Sequence, residues 1–241
     1  RIRLITPPKH LPMTEHWNFL VSNLKGNWFS LLSADDQAKP NFVKIIKQGI
    51  KRSSSAILVR SGVDWIDENE KVLDTRYILS VKKVTRPPQT FYEQLHNPKI
   101  NFAAFALRKS IWETVGGFPE SLKINGDWGM WLKAAMYGDF IYQHNIIAKY
   151  RTNYRPNLKN ERLINELKDD LTIYNEIFPS ILKKISKPNI KKVQKAIKKR
   201  FIKRLEWLEK TDDPILKNTA YKLVESSAIK YVGKDIFQRI K

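Results

Sequence analysis

The sequence predicts a mixed α/β fold continued by a helical region, and three observations carry that expectation. Up to about residue 155, short apolar runs of strand type alternate with stretches of helical periodicity. After Arg155-Pro156-Asn157 the pattern is helical almost throughout, broken by Pro179, Pro188 and Pro214. The 241 residues are 42% hydrophobic and 11% aromatic, enough apolar material for a packed core and too much for wholesale disorder.

In chain order, residues 17–24 read as a helix that Gly26 would cap. Trp28-Phe29-Ser30-Leu31-Leu32 is a short apolar run, expected as a buried strand that ends in Ser33-Ala34-Asp35-Asp36. A helix follows Pro40, with Phe42, Ile45, Ile46 and Ile50 on one face. Residues 56–66 and 71–73 read as strands around the polar turn Asp67-Glu68-Asn69-Glu70. Residues 101–107 form another expected buried strand, and 109–115 a short helix stopped by Gly116-Gly117. Asp127 opens a helix whose Trp128, Trp131, Leu132, Ala135 and Met136 follow the spacing i, i+3, i+4, i+7, i+8. Residues 140–150 return as strand.

Composition removes several classes of function. The chain has no cysteine, which excludes a disulfide scaffold, thiol catalysis and a Cys-ligated zinc site, and fits a reducing compartment. Its apolar runs reach only about half a dozen residues, so this stretch holds no expected membrane span. His10, His16, His96 and His144 lack metal-ligand spacing. A Gly-x-Gly-x-x-Gly or Walker loop is missing, which withdraws support from dinucleotide and P-loop chemistry. The net charge of +20 points to an anionic partner. Residues 1–157 hold 23 basic and 13 acidic side chains and residues 158–241 hold 21 and 11, so the shorter part carries the same +10.

Two acidic positions could carry chemistry. Asp35-Asp36 is expected at the carboxyl end of a strand, where open α/β sheets bind ligands, and adjacent carboxylates favour a hard cation. A plain loop leading into the next helix is the competing reading. Asp127 at a helix start is in the first place an N-cap, a role compatible with a general base. Trp128 and Trp131 have the regular spacing of core residues, although an aromatic at a helix start can also stack on a sugar ring.

Taken together, these segments resemble the family 2 glycosyltransferases of the GT-A type. Residues 28–36 are similar to that family's strand and Asp-x-Asp motif, preceded by a helix matched at Asn18 and Gly26. Residues 101–108 with Trp112-Glu113-Thr114-Val115-Gly116-Gly117-Phe118-Pro119 are similar to the segment ending in Gly-Gly-Phe. Gly126-Asp127-Trp128 stands in the place of its Glu-Asp-Trp, and Tyr150-Arg151 matches the Tyr-Arg that closes its core. The resemblance spans about residues 10–155. It implies a GT-A sheet flanked by helices over 1–157 and a basic α-helical extension over 158–241.

The resemblance also implies a function. A sugar would move from a nucleotide-sugar, with UDP-sugar one option, to a glycan or lipid-linked acceptor with inversion, in bacterial surface polysaccharide or lipopolysaccharide synthesis at the cytoplasmic membrane face. Asp127 would be the catalytic base, while Asp35 and Asp36 would hold Mn2+ or Mg2+ against the diphosphate. Asn18, Ser33, Ala34, Asp35 and Arg108 would belong to the donor site, and Gly117, Trp128 and Arg151 to the acceptor site. Three positions depart from the family pattern: Ser33 replaces the first Asp of Asp-x-Asp, Gly126 the Glu before the base, and Asn153 a His after Tyr-Arg. The Asp-x-Asp segment begins only about thirty residues in, and the chain opens on Arg1 rather than Met. Both features predict that the family's first strand and helix elements are missing from this sequence, and with them most of the surface for the nucleotide base.

Residues 183–204 contain 11 Lys or Arg and no acid. Ile190, Val193, Ile197, Phe201, Leu205 and Leu208 share one face of the expected helix. The helix could pack on the core with its basic face in solvent, or residues 183–208 could meet an anionic membrane surface. Nucleic acid is disfavoured, because a recognition motif or stacking platform is missing. The competing class of function is an inactive transferase or a non-catalytic basic module.

Overall fold

The computed structural model describes residues 2–78, 82–152, 159–210 and 212–227. Seven strands form one sheet: β1 (Trp28–Phe29), β2 (Gln37–Ala38), β3 (Ala56–Ile66), β4 (Val72–Arg76), β5 (Val84–Thr85), β6 (Phe105–Arg108) and β7 (Asp139–Arg151). The order is β1-β6-β3-β7-β2, with β4 beside the end of β3 and β5 beside the start of β7. The central pair β3 and β7 is parallel and the remaining pairs are antiparallel.

Parallel strands need both faces covered, and β3 meets that condition by burying ten of its eleven residues. Its side chains alternate between two cores, Leu58 entering one and Val59 the other. Phe140 and Ile141 of β7 divide in the same way. One face is covered by α2 (Phe42–Ile50) through Ile45 and Ile46. The opposite face is covered by α5 (Gly126–Ala134), whose Trp128, Trp131 and Leu132 are fully buried. Three layers result, and the mixed α/β class expected from the alternation of elements is the class observed.

The helices α1 (Met13–Ser22), α3 (Gln89–Tyr92) and α4 (Lys109–Thr114) complete the first part of the chain. The expected helical region is α6 (Lys159–Thr172), α7 (Phe178–Leu182), α8 (Ile190–Glu209) and α9 (Pro214–Ser227). A π turn, Ile173–Ile177, joins α6 to α7 just before Pro179, which lacks an N–H for the regular ladder. Val193, Ile197, Phe201, Leu205 and Leu208 of α8 are buried in the same core cluster as Trp128 and Trp131, while Ile190 stays exposed.

Several expected elements change at their ends. The strand expected over 28–32 stops at Phe29, because β6 is short and pairs only Trp28 with Arg108 and Phe29 with Leu107. Ser30 then turns its hydroxyl onto the Phe105 carbonyl at 2.6 Å, and Leu32 is exposed. The strand expected from residue 101 begins at Phe105, since the Asn101 side chain accepts from Ala103 N–H and caps a 3₁₀ turn, Phe102–Ala104. Helix α1 starts four residues before the expected position and ends at Asn23, so Gly26 is not its cap.

Candidate active site

The Asp35-Asp36 pair sits in a turn that follows β1 by several residues. Asp36 N–H closes the turn on the Ser33 carbonyl at 3.0 Å, leaving Ser33, Ala34 and Asp35 exposed at its tip. Strand β2 follows at once and pairs Gln37 with Lys149 and Ala38 with Ala148. That register carries Asp36 to the end of β7, where Arg151 N–H donates to its Oδ1 at 2.9 Å. Arg151 is also paired with Ile66, so the turn lies at the carboxyl ends of the two parallel strands.

Asp36 is buried, and its Oδ2 has no hydrogen-bond partner. Burial first, and then the adjacent Asp35 charge, push its carboxyl up to about 6, although the Arg151 N–H works in the other direction. An orphaned buried oxygen beside a second, exposed carboxylate is a donor set for a hard cation. Among the described residues, no three His, Cys, Asp or Glu side chains assemble into a metal cluster. The two carboxylates therefore fit Mn2+ or Mg2+ only where phosphate oxygens and water complete the shell, which is how such ions commonly bind phosphorylated substrates.

Asp127 lies in the first turn of α5. The helix begins at Gly126, so Asp127 is not its N-cap as the sequence suggested; its Oδ1 accepts the Trp128 N–H at 2.7 Å. The approach of α1 fixes the preceding glycine, since a Cβ on Gly126 would stand 2.3 Å from the Thr14 methyl. The loop before it is held by Asp169 of α6, whose carboxylate accepts the N–H groups of Lys123, Ile124 and Asn125 at 3.0, 2.7 and 2.7 Å. Burial pushes the Asp127 carboxyl up to about 6; two backbone N–H groups and the more distant Arg200 charge oppose the rise.

Tyr150 stands next to Arg151 near the end of β7. Its half-buried ring leans on Trp65 with centroids 5.6 Å apart, and its hydroxyl is pushed up by burial and by the charges of Asp36, Asp127 and Asp35. One phenol is thus within electrostatic reach of all three carboxylates. Sequence reasoning noted Tyr150 only as part of Tyr-Arg, and it passed over Asp169, Asp170 and Arg200 entirely. The acidic pair Asp169-Asp170 in a basic region was the available signal.

Other expected site residues are engaged elsewhere. Arg108 Nε and Nη2 donate to the Ala56 carbonyl at 3.2 and 2.9 Å, and its guanidinium lies 5.1 Å over the Trp28 ring. Ala56 is the first residue of β3 and Ile66, beside Arg151, its last, a separation of roughly 30 Å along a strand. Arg108 thus lies at the end of the sheet away from the Asp35-Asp36 turn. Arg151 straps the turn: its guanidinium donates to the carbonyls of Asp35, Asp67 and Glu68 at 3.0, 2.6 and 3.0 Å, rather than reaching toward an acceptor.

Asn18 spends its whole amide inside the protein. It donates to the Phe118 carbonyl and Glu120, and accepts from Phe118 N–H and the Trp112 indole, at 2.8–3.1 Å. Asn18 thereby clamps α1 to the Gly-Gly-Phe loop. Gly117 is part of that clamp; its φ of +73° and the Asn18 oxygen 2.6 Å from a would-be Cβ demand glycine, and it is buried away from an acceptor. Trp128 is fully buried, with its indole N–H on the Gln94 carbonyl at 2.9 Å and Arg200 4.3 Å over its ring, so it offers no face to a sugar. Asn153 lies outside the described residues.

No family model matches the sequence. Over 176 residues the chain is 25% identical to an uncharacterized glycosyltransferase of Rickettsia typhi, covering 70% of this chain and 52% of that protein. An uncharacterized glycosyltransferase of Rickettsia prowazekii is 25% identical over 173 residues, 69% of this chain and 51% of its own. The chain thus spans about half the length of the curated relatives it matches. Among solved structures, residues 1–349 of S. aureus TarS share the fold with a TM-score of 0.63 at 10% identity, over 93% of this chain and 62% of that one. The TarS structure in complex with UDP gives a TM-score of 0.61 at 9% identity, with the same coverage. Among the described residues, no helix is long and apolar enough to cross a membrane. Relatives named glycosyltransferase and a fold shared with TarS agree with the class read from the motifs.

Proposed function

We propose that this chain carries the catalytic half-site of an inverting glycosyltransferase of the family 2, GT-A type, with Asp127 as the base. One observation carries the reading. Asp36, whose buried Oδ2 has no hydrogen-bond partner, sits beside Asp35 at the carboxyl end of the parallel strands, where open α/β sheets bind ligands. The names of the sequence relatives support the same class.

An acceptor hydroxyl would attack the anomeric carbon of a nucleotide-sugar while its proton passes to an Asp127 carboxylate oxygen. The bond from that carbon to the diphosphate breaks on the opposite face, which inverts the configuration. A carboxylate titrating near 6 is ionised at neutral pH yet more basic than an ordinary aspartate. Asp35 and Asp36 are the residues that would hold Mn2+ or Mg2+, which when bound supplies positive charge to the departing diphosphate. Asp36 is kept in place by the Arg151 backbone and Asp127 by the Asp169-anchored loop. The fold is solved with UDP in TarS, which makes a UDP-sugar the first donor to test.

A glycan or lipid-linked acceptor remains the reading for the second substrate. The apolar face of α8 is buried, so residues 183–208 would meet an anionic membrane through charge alone. The decisive test is Asp127→Asn, assayed for transfer and for donor binding. Transfer should fall by about 10²–10⁴ with donor affinity retained; undiminished turnover would remove Asp127 from the base position.

A further inference from the structure

The second large concentration of charge lies on α8 and the segment that faces it, and it meets α5 where Arg200 stacks on Trp128. A groove of about 610 Å³ runs between α8 and the segment after α3, and it is lined by His96, Lys99, Lys199, Lys203, Lys210 and Trp207 together with two arginines and two glutamates. Its volume is that of a small-molecule site.

The floor is rigid. Arg200 donates to the His96 carbonyl and Asn97 Oδ1 at 2.6 Å each and pairs with Asp170 at 2.7 Å. Arg204 pairs with Asp170 at 3.1 Å and with Glu166. The buried Arg60 fixes the facing segment by donating to the Lys99 carbonyl at 3.2 Å. Asp170 and Glu166 thereby offset the two arginines.

The rim is different. Lys99, Lys199, Lys203 and Lys210 stand in no ion pair among the described residues, and Glu206 is the one remaining acid in the lining. Four ammonium groups facing a single carboxylate around one concavity leave a net positive charge that favours the entry of an anion. His96 registers that field: burial and the charges of Lys199, Lys99 and Arg200 push its imidazole down. Arg200 links the groove to the base, because its guanidinium stacks on Trp128 and its charge acts on Asp127.

We propose that this groove binds a phosphate group of the acceptor, placing a phosphorylated sugar or lipid-linked phosphate with its free hydroxyl toward Asp127. The assignment to the acceptor rests on the transferase reading; the anion site itself does not. A short, half-open groove with one aromatic wall suits a compact phosphate ester better than a nucleic acid strand, which needs a longer track of stacking rings.

The test is equilibrium binding to the full chain at low ionic strength without divalent cations, so that Asp35 and Asp36 contribute nothing. The probes are glucose 1-phosphate, inorganic pyrophosphate, glucose, an oligonucleotide, and vesicles of phosphatidylcholine with phosphatidylglycerol in equal parts. The two soluble phosphates should bind and glucose should not. The exposed pair Lys199→Gln/Lys203→Gln should weaken phosphate binding about tenfold and flatten its salt dependence. Asp127→Asn should bind like the parent chain.

Lysine-dependent vesicle binding in addition to soluble binding identifies a lipid-linked source, and soluble binding alone a free phosphate ester. Equal binding by the double variant and the parent, or binding confined to vesicles or oligonucleotide, overturns the proposal. Because these arms involve no turnover, their failure leaves the transferase reading standing, and an inactive chain leaves the phosphate site standing. With a phosphorylated acceptor, the double variant should raise the acceptor KM and leave the donor KM unchanged.

Discussion

Two pairs of aspartates, three of the four side chains buried and Asp127 partly so, are treated in opposite ways. Asp169 and Asp170 of α6 have their oxygens committed: Asp169 to three backbone N–H groups, Asp170 to Arg200 and Arg204. Asp36 receives one N–H and keeps a buried oxygen with no partner, while Asp127 receives the N–H groups of Trp128 and of its own backbone and only a distant cation. A raised pKa does not separate the pairs, because burial pushes Asp169 up as well. Unspent acceptor capacity does. The committed pair builds the frame, and the uncommitted pair is left able to take a proton or a cation.

Removing the committed pair should therefore cost stability, and the largest effect belongs to Asp170. Asp170→Asn leaves the guanidinium of Arg200, nine-tenths buried, facing a neutral amide. Breaking one side of a buried ion pair costs about 3–5 kcal/mol, so the thermal midpoint should drop by roughly 10 °C. A drop under about 2 °C would show that the network is structurally idle. Asp169→Ala should cost less, about 2 kcal/mol, since the three N–H groups it abandons lie at a surface where water can reach some of them. It should also lower transfer, because the loop that aims Asp127 loses its anchor. Unchanged kcat beside lowered stability would confine Asp169 to the frame.

How much of this was legible in the sequence follows from the range of each signal. The α5 and α8 faces and the long β3 and β7 strands were readable because period and burial are local properties. The premature end of β1 was not, because the four-residue β6 decides where its ladder stops. Asp35, Asp36 and Asp127 were identified from motif order, but the place of Asp36 beside Arg151 depends on the β2–β7 pairing, made across more than a hundred residues. Arg108 and Asn18 carried the right chemistry for a donor site, but sequence could show neither the register that sets Arg108 at the far end of β3 nor the internal hydrogen bonds that engage Asn18. Asp169 was illegible because a charged residue on a helix reads as a solvated face, and only the 123–125 loop reveals its work.

The uncommitted pair should respond to pH with the opposite sign from an ordinary ion-paired carboxylate. Asp36 and Asp127 titrate near 6 when folded, against 3.8 unfolded. Between those values the folded chain holds protons that the unfolded chain has released, so stability falls as pH rises through about 4 to 6 and then levels off. Asp64 does the reverse, because Lys39 and Thr75 hold its carboxyl below the usual range; its contribution is lost as pH falls below about 4. Urea unfolding of the full chain across this range should show the decline, and Asp36→Asn should flatten part of it. The variant should be more stable than the parent by about 1–2 kcal/mol above pH 7, a shift of two units being worth at most about 3 kcal/mol before solvent screening. Added Mn2+ should narrow that gap, since only the parent retains both carboxylates for the ion to join. A parent chain whose stability rises steadily from pH 4 to 7 would mean that the carboxyls of Asp36 and Asp127 are not raised, and Asp127 would lose the added basicity that suits it to a general base.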